Sequence, residues 1–292
     1  VFFGRIMPPG LTIAVASGKG GTGKTTVAVG LALALRDSRP VQFLDADVEA
    51  PNAHFFLKPR IAESLEVTTP VPEVDEARCT FCGTCARVCA YNALAVAGNT
   101  VLVFDELCHG CGACALLCPE GAIREVPKRI GVIESGRCGA IEFLQGRLDV
   151  GQAMSPPLIK ALKKRRDAER IGLIDAPPGT SCPAVEAVRG AGFCLLVTEP
   201  TPFGLHDLEL AADAVRRLGV RAGVVINRAD GGDGDARIRQ ASAAAGIPVL
   251  MTIPFSRGIA EAYSRGESLL EADPSMRERF RELFHSTGMS AP

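Results

Sequence analysis

The sequence predicts an α/β fold: a mostly parallel sheet covered by helices on both faces, interrupted by a small α+β insert. Three observations carry this. Short apolar runs alternate with helix-length amphipathic stretches through most of the chain, the pattern of a parallel sheet buried on both sides. The first run and the first helical stretch are joined by a glycine-rich turn, Gly18-Lys19-Gly20-Gly21-Thr22-Gly23-Lys24-Thr25-Thr26. Of 11 cysteines, eight fall between Cys79 and Cys118, in a stretch with a different composition from its surroundings.

With 292 residues and 47% apolar content, the chain can bury a large core. A formal net charge of −1 gives no overall basic footprint, so nucleic acid is not the expected partner. No apolar run reaches the length of a spanning helix, so a membrane is not expected either. Val1–Ile6 precede Met7, lack the charged start of a secretion signal, and are expected to lie outside the fold. Cysteines in tight clusters without such a signal point to metal in a cytoplasmic chain rather than to disulfides.

Leu11 to Ala16 is an apolar run expected to form a buried strand, and Val27 to Leu35 a buried helix. Val41 to Leu44 is a second strand, ending in the carboxylates of Asp45-Ala46-Asp47. Carboxylates just past a strand's C-terminal end sit where open α/β sheets bind ligands. Residues 53–66 suggest a short helical piece and a connection, and Thr68-Thr69-Pro70-Val71-Pro72 suggests a linker. The cysteine-rich stretch follows, with Pro127 at its exit. Beyond it come two short strands, 131–134 and 140–143, then a helix over 156–169 with the basic stretch Lys163-Lys164-Arg165-Arg166, expected to be a solvated face. Further strands are expected at 171–174, 193–197, 222–226 and 248–253, and helices at 205–218, 236–245 and 274–284. The nucleotide unit is therefore expected over 7–66 and 128–292, with an insert over 67–127.

Strand, glycine-rich turn and helix opening on Gly-Lys-Thr form a phosphate-binding P-loop. Glycines let the backbone N–H groups curl toward an anion, and the helix N-terminus adds partial positive charge. In such a loop Lys24 reaches the β- and γ-phosphates, and the Thr25 hydroxyl ligates Mg²⁺. The second lysine, Lys19, makes the loop resemble the deviant Walker A pattern of the MinD/ParA/Mrp ATPases and the nitrogenase iron protein. Asp45-Ala46-Asp47 resembles that family's first switch. Asp175-Ala176-Pro177-Pro178-Gly179 resembles its Walker B and second switch. Asn227-Arg228, with Ile253-Pro254-Phe255, resembles its adenine-binding segments. The resemblance implies a homodimer, or a heterodimer with a related ATPase, that sandwiches ATP. It implies that Lys19 reaches the partner's nucleotide, Asp47 orients or deprotonates the attacking water, Asp175 holds Mg²⁺ through water, and Thr26 bonds the α-phosphate.

The cysteines repeat. Cys79-x2-Cys82-x2-Cys85-x3-Cys89 recurs 29 residues later as Cys108-x2-Cys111-x2-Cys114-x3-Cys118. This spacing matches the bacterial two-cluster ferredoxin run, in which the fourth cysteine of each run serves the other cluster. Cys79, Cys82, Cys85 and Cys118 are then expected to hold one 4Fe-4S cluster, and Cys108, Cys111, Cys114 and Cys89 the second. Gly83, Gly110 and Gly112 would relieve crowding where the backbone wraps a cluster. Zinc is the alternative, because it too uses Cys-x2-Cys pairs. Ala90 departs from the proline that usually follows the fourth cysteine, whereas Pro119 keeps it. Such an insert in such a P-loop unit resembles the MinD-superfamily ATPases that contain a ferredoxin domain.

Three cysteines remain. Cys182 lies where the nitrogenase iron protein carries a cluster ligand, and Cys138 could supply a second for a bridging site; the plainer reading is that both are inert. Cys194 is expected in the core. Met276, Phe280, Leu283 and Phe284 share one face of the last helix and are expected to pack inward rather than onto a membrane. The functional expectation is an ATPase that couples nucleotide state to iron–sulfur clusters, for gated electron transfer or metal-cofactor maturation with a partner protein. The alternative is a MinD/ParA-like positioning or scaffold ATPase whose clusters are structural or redox-sensing.

Overall fold

The structure is a computed structural model that describes residues 11–289. Residues 1–10 and 290–292, including the start of the expected nucleotide unit at 7–10, lie outside the described residues.

The expected opening is present as β1 (Thr12–Ala16) and α1 (Lys24–Leu35), followed by β2 (Val41–Asp45) and the short α2 (Ala53–Leu57). The chain then departs from the expectation. Residues 60–74, which include the proline-containing stretch that suggests a linker, form one long strand, β3 (Arg60–Val74). Its partner is the equally long β6 (Ile123–Cys138), antiparallel to it from Arg60↔Arg137 to Val74↔Ile123. Prolines 70 and 72 are tolerated because β3 is the sheet's edge strand and needs ladder bonds on one side only. The short strand expected at 131–134 is the middle of β6.

Between these strands sit α3 (Thr84–Val88), the hairpin β4 (Leu94–Ala97) and β5 (Thr100–Val103), and α4 (Ala113–Leu116). The cysteine-rich segment is thus borne at the end of a two-stranded ribbon. It also folds back along that ribbon: a side chain at Gly110 would strike Thr69 and Pro70, and Lys128 pairs with Asp105 at 3.2 Å.

From β7 (Ile141–Leu148) the strand–helix alternation resumes through α5 (Pro156–Lys164), β8 (Ile171–Asp175), α6 (Cys182–Val188), β9 (Phe193–Thr198), α7 (Pro202–Arg217), β10 (Ala222–Ala229), α8 (Asp233–Ala244) and β11 (Val249–Pro254). The short helices α9 (Arg257–Ser264) and α10 (Leu269–Ala272) precede the closing α11 (Met276–Ser286). The sheet order is β11-β10-β9-β1-β8-β2-β7-β6-β3, parallel from β11 to β7 and antiparallel over its last two strands.

Strand alternation divides the core between two faces. Ile13, Val15 and Leu173 face α1 and α11. Ala14, Ala16 and Ile174 face α5, α6 and α7. Met276, Phe280, Leu283 and Phe284 are buried, as the spacing of the last helix implies. Phe280 lies so close to α1 that a methyl group at Gly30 would come within 2.5 Å of its ring. Cys194 is fully buried in β9. No helix among the described residues is long and apolar enough to cross a membrane.

Candidate functional site

The loops after β1, β2, β8, β10 and β11 meet at the C-terminal end of the parallel strands. There they enclose a cleft of about 340 Å³ lined by Gly20, Gly21, Gly23, Lys24, Thr25, Thr26, Asp47, Asn227, Arg228 and Pro254, among others. A larger open groove, about 720 Å³, lies between α7 and α8 and includes none of the predicted site residues.

The P-loop is held from three sides. Gly23 sits at φ 93° immediately before α1, a left-handed conformation that glycine adopts without strain. A side chain there would also lie 2.2 Å from Asn227 Nδ2. Asn227 is buried and donates Nδ2–H to the Thr22 carbonyl at 2.8 Å, so the β10 loop is fastened to the P-loop. Gly18 abuts α7, where any side chain would collide with the Asp207 carbonyl. From below, Gly179 N–H donates to the Ser17 carbonyl at 3.0 Å.

Lys24 is buried at the mouth of α1. Burial pulls its pKa down, opposed by Asp175 and then Asp47. Asp175 ends β8 opposite Asp45 of β2. It is 1% exposed, and neither carboxylate oxygen has a hydrogen-bond partner. Burial outweighs the pull of the nearby Thr25 hydroxyl and Lys24 ammonium and pushes its pKa up to about 7. Asp47 lines the cleft, and burial raises its pKa against the pull of Lys24. Asp45 is different. It is fully buried and accepts N–H bonds from Asp47 (3.2 Å), Asn52 (3.0 Å) and Ala53 (3.0 Å), shaping the loop from inside.

Lys19 pairs with Glu199 of its own chain, and Glu199 also pairs with Arg228 at 3.0 Å. Arg228 occupies the left-handed region at φ 55°, an uncommon conformation for its residue type, beside the cleft. Sequence reasoning did not single out Glu199, Asn52, Ile259 or Tyr263. The last three line the cleft, and the Tyr263 ring packs at a tilt against Phe56 with ring centroids 4.7 Å apart. A signal for α9 was present in Ser256, whose hydroxyl accepts the Ile259 N–H at 3.3 Å as an N-cap.

The cysteine segment repeats in backbone as well as sequence. Phe81 N–H donates to Cys79 Sγ and Gly110 N–H to Cys108 Sγ, each at 3.4 Å. Ala93 N–H donates to Cys89 Sγ and Ala122 N–H to Cys118 Sγ, each at 3.3 Å. Phe81 and Gly110, Gly83 and Gly112, and Asn92 and Gly121 form matching left-handed pairs. Cys79, Cys82, Cys85 and Cys118 line one small cavity. Burial pushes the Cys108 thiol up, against the pull of the Gly110 N–H, and Cys111 and Cys89 are the nearest sulfurs that add to the rise. Among the described residues, no three His, Cys, Asp or Glu side chains converge as a bound metal ion requires.

Cys138 and Cys182 do not come together. Cys138 pairs with Ile141 at the start of β7, whereas Cys182 opens α6 beyond the end of β8. They stand at opposite ends of the sheet, which favours the plainer reading of two separate cysteines over a shared site. The basic stretch is corrected. Lys163 is not a solvated charge: it donates to the carbonyls of Glu186 and, at 2.7 Å, Arg189 at the end of α6.

Comparison with known proteins places this geometry in a family. The CobQ/CobB/MinD/ParA nucleotide binding domain matches residues 13–270. The chain belongs to that family. An uncharacterized protein of Methanocaldococcus jannaschii is 30% identical over 268 residues, covering 89% of this chain and 92% of its own. The septum site-determining protein MinD of Pyrococcus horikoshii, solved with Mg-ADP, shares the fold at TM-score 0.57 and 20% identity, with 94% of each chain covered. The cell division ATPase MinD of Pyrococcus furiosus does so at TM-score 0.58 and 22% identity, covering 96% of this chain and 99% of its own.

Proposed function

We propose that this member of the CobQ/CobB/MinD/ParA family is a nucleotide-driven switch ATPase. It binds Mg-ATP in the P-loop cleft and pairs with a second copy or a related ATPase. The observation that carries this is the partnerless, buried carboxylate of Asp175, which lies against Lys24, Thr25 and Asp47 where these three line the cleft. A buried carboxylate without a donor is costly unless a cation or its water satisfies it. Thr25 and Asp175 would hold Mg²⁺, and the P-loop amides from Gly18 to Thr26 would cradle the phosphates. Asn227 Oδ1 is left to accept from a base amino group, because Nδ2 is committed to Thr22. Lys19 would leave Glu199 for the partner's nucleotide, and Asp47 would act on the attacking water. A septum site-determining protein and a cell division ATPase among the solved neighbours support a positioning or scaffold task. Calorimetry and phosphate release test the reading: Mg-ATP should bind and turn over, and Lys24→Ala should abolish turnover. Full turnover by that variant would sink it.

A second reading, iron–sulfur redox or maturation chemistry with a partner protein, is favoured by the sulfur-directed N–H groups of the repeat. Such bonds stabilise thiolate charge and tune cluster potential. Cys79, Cys82, Cys85 and Cys118 would hold one 4Fe-4S cluster, and Cys108, Cys111, Cys114 and Cys89 the other. When bound, the clusters would supply one-electron chemistry; the cysteine thiolates would hold them and the backbone would shield them. Anaerobic purification with iron and sulfide analysis should give about eight irons per chain. Stoichiometric zinc would overturn this reading and leave the first intact.

A further inference from the structure

The cysteine-bearing ribbon must sense the cleft if nucleotide state is to reach it. The covalent route, from Asp47 through α2 into β3, is one candidate. A better connected one runs through α5.

Helix α5 lies against the ribbon with Leu158, Ile159 and Leu162 fully buried. Leu158, in its first turn, fills space that two glycines leave open. A side chain at Gly131 of β6 would come within 3.0 Å of Leu158, and one at Gly146 of β7 within 3.5 Å. Gly146 also receives Val48, whose methyl would lie 2.5 Å from a side chain there. Val48 is the residue after Asp47, and its carbonyl accepts the Leu148 N–H at 2.8 Å.

The ends of α5 are tied as firmly. At the N-terminus, buried Ser155 donates its hydroxyl to Glu49, two residues beyond Asp47, at 2.9 Å. Near the C-terminus, Lys163 bonds the last carbonyls of α6, the helix that follows Asp175–Gly179. Beside it, Arg165 donates to Glu63 of β3 at 2.8 Å. Gln42 of β2 also reaches the segment just beyond this end, donating to the Arg165 carbonyl at 3.1 Å and accepting the Asp167 N–H at 2.8 Å. One nine-residue helix therefore touches the loop after β2, the helix after β8, and both strands of the ribbon.

We propose that α5 is the coupling element of this protein, with Ser155 and Lys163 as positioning residues through which the loops flanking the nucleotide set the ribbon that carries the cysteines. Loops that contact a γ-phosphate shift when it is lost. A shift of Val48 and Glu49 moves the Ser155 end; a shift of α6 moves the Lys163 end. Either displaces Leu158 from its glycine saddle on β6, because a packed interface responds by repacking rather than by stretching. The inference rests on nucleotide binding in the cleft, and not on what the cysteines hold.

The test is hydrogen exchange over residues 60–74 and 123–138 of the full chain, with Mg-ADP and with a non-hydrolysable Mg-ATP analogue. Calorimetry on the same samples reports nucleotide binding separately. In the native chain the two nucleotides should give different ribbon exchange. Lys163→Met and Ser155→Ala should each shrink that difference by about fivefold, a typical coupling factor, with nucleotide affinity retained. Lys163→Arg, which keeps donors to the α6 carbonyls, should restore most of it. Full nucleotide-dependent differences in both Lys163→Met and Ser155→Ala would overturn the proposal. So would identical ribbon exchange in the native chain when calorimetry shows both nucleotides bound. Failure of calorimetric binding would instead strike the nucleotide reading itself.

Discussion

Gly23 shows how much of the cleft depends on a single missing side chain. Its left-handed φ and the 2.2 Å approach of Asn227 Nδ2 leave no room for Cβ. Gly23→Ala should cost about 1–3 kcal/mol in backbone strain alone, so ATP affinity measured by calorimetry should fall by about tenfold or more with the fold retained. The glycine was legible in the P-loop spacing; the asparagine that fixes it, 204 residues further on, was legible only as a resemblance. Lys163 was misread because a run of four basic residues on a helix resembles a solvated face. Tertiary contact with α6 commits one of the four. Burial pulls its pKa to about 8, with Glu186 opposing and Arg189 assisting. The unfolded chain then binds the extra proton between about pH 8 and 10.5, so native stability gains over this window as pH rises. Urea unfolding at the two ends of the window should show this gain in the native chain, and Lys163→Met should lack it.

Among elements, those with strong periodicity and buried strands were readable: β1, β2, β8, β9, β10 and β11, and helices α1, α7, α8 and α11. The ribbon was not. Residues 60–66 of β3 are exposed and mixed in charge, and Pro70 and Pro72 mimic a linker. Only pairing with β6, 49 to 77 residues away, makes them a strand, and pairings of that separation leave no local trace. The insert's helices are likewise a single turn or slightly more, too short to show a period. The α1–α11 contact offers an energetic check. Phe280 is fully buried against Gly30, so Phe280→Ala should destabilise the chain by about 3–5 kcal/mol in chemical denaturation. Nucleotide affinity should change little, because Phe280 lies outside the cleft lining.

The whole molecule is a nucleotide-binding sheet with a cysteine-bearing ribbon on one edge, and the two parts were legible to different depths. The cleft residues announced themselves through a motif whose glycine spacing is dictated by phosphate geometry. Their convergence in space followed from the parallel topology, which brings the ends of β1, β2, β8, β10 and β11 to one side. The cysteine pattern was equally plain, but its connection to the cleft was not, since α5 meets both through packing on glycines and through bonds to main-chain carbonyls. The pairing of Lys19 with Glu199 was also invisible, and it matters at this scale. The proposed switch requires Lys19 to exchange Glu199 of its own chain for a partner's nucleotide. Sedimentation velocity of the native chain tests that claim most directly. With a non-hydrolysable Mg-ATP analogue, or with Mg-ATP and Asp47→Ala, the chain should sediment as a dimer. With Mg-ADP, or in Lys19→Ala under either nucleotide, it should sediment as a monomer. The same mass with both nucleotides, under conditions where calorimetry shows each bound, would contradict the account.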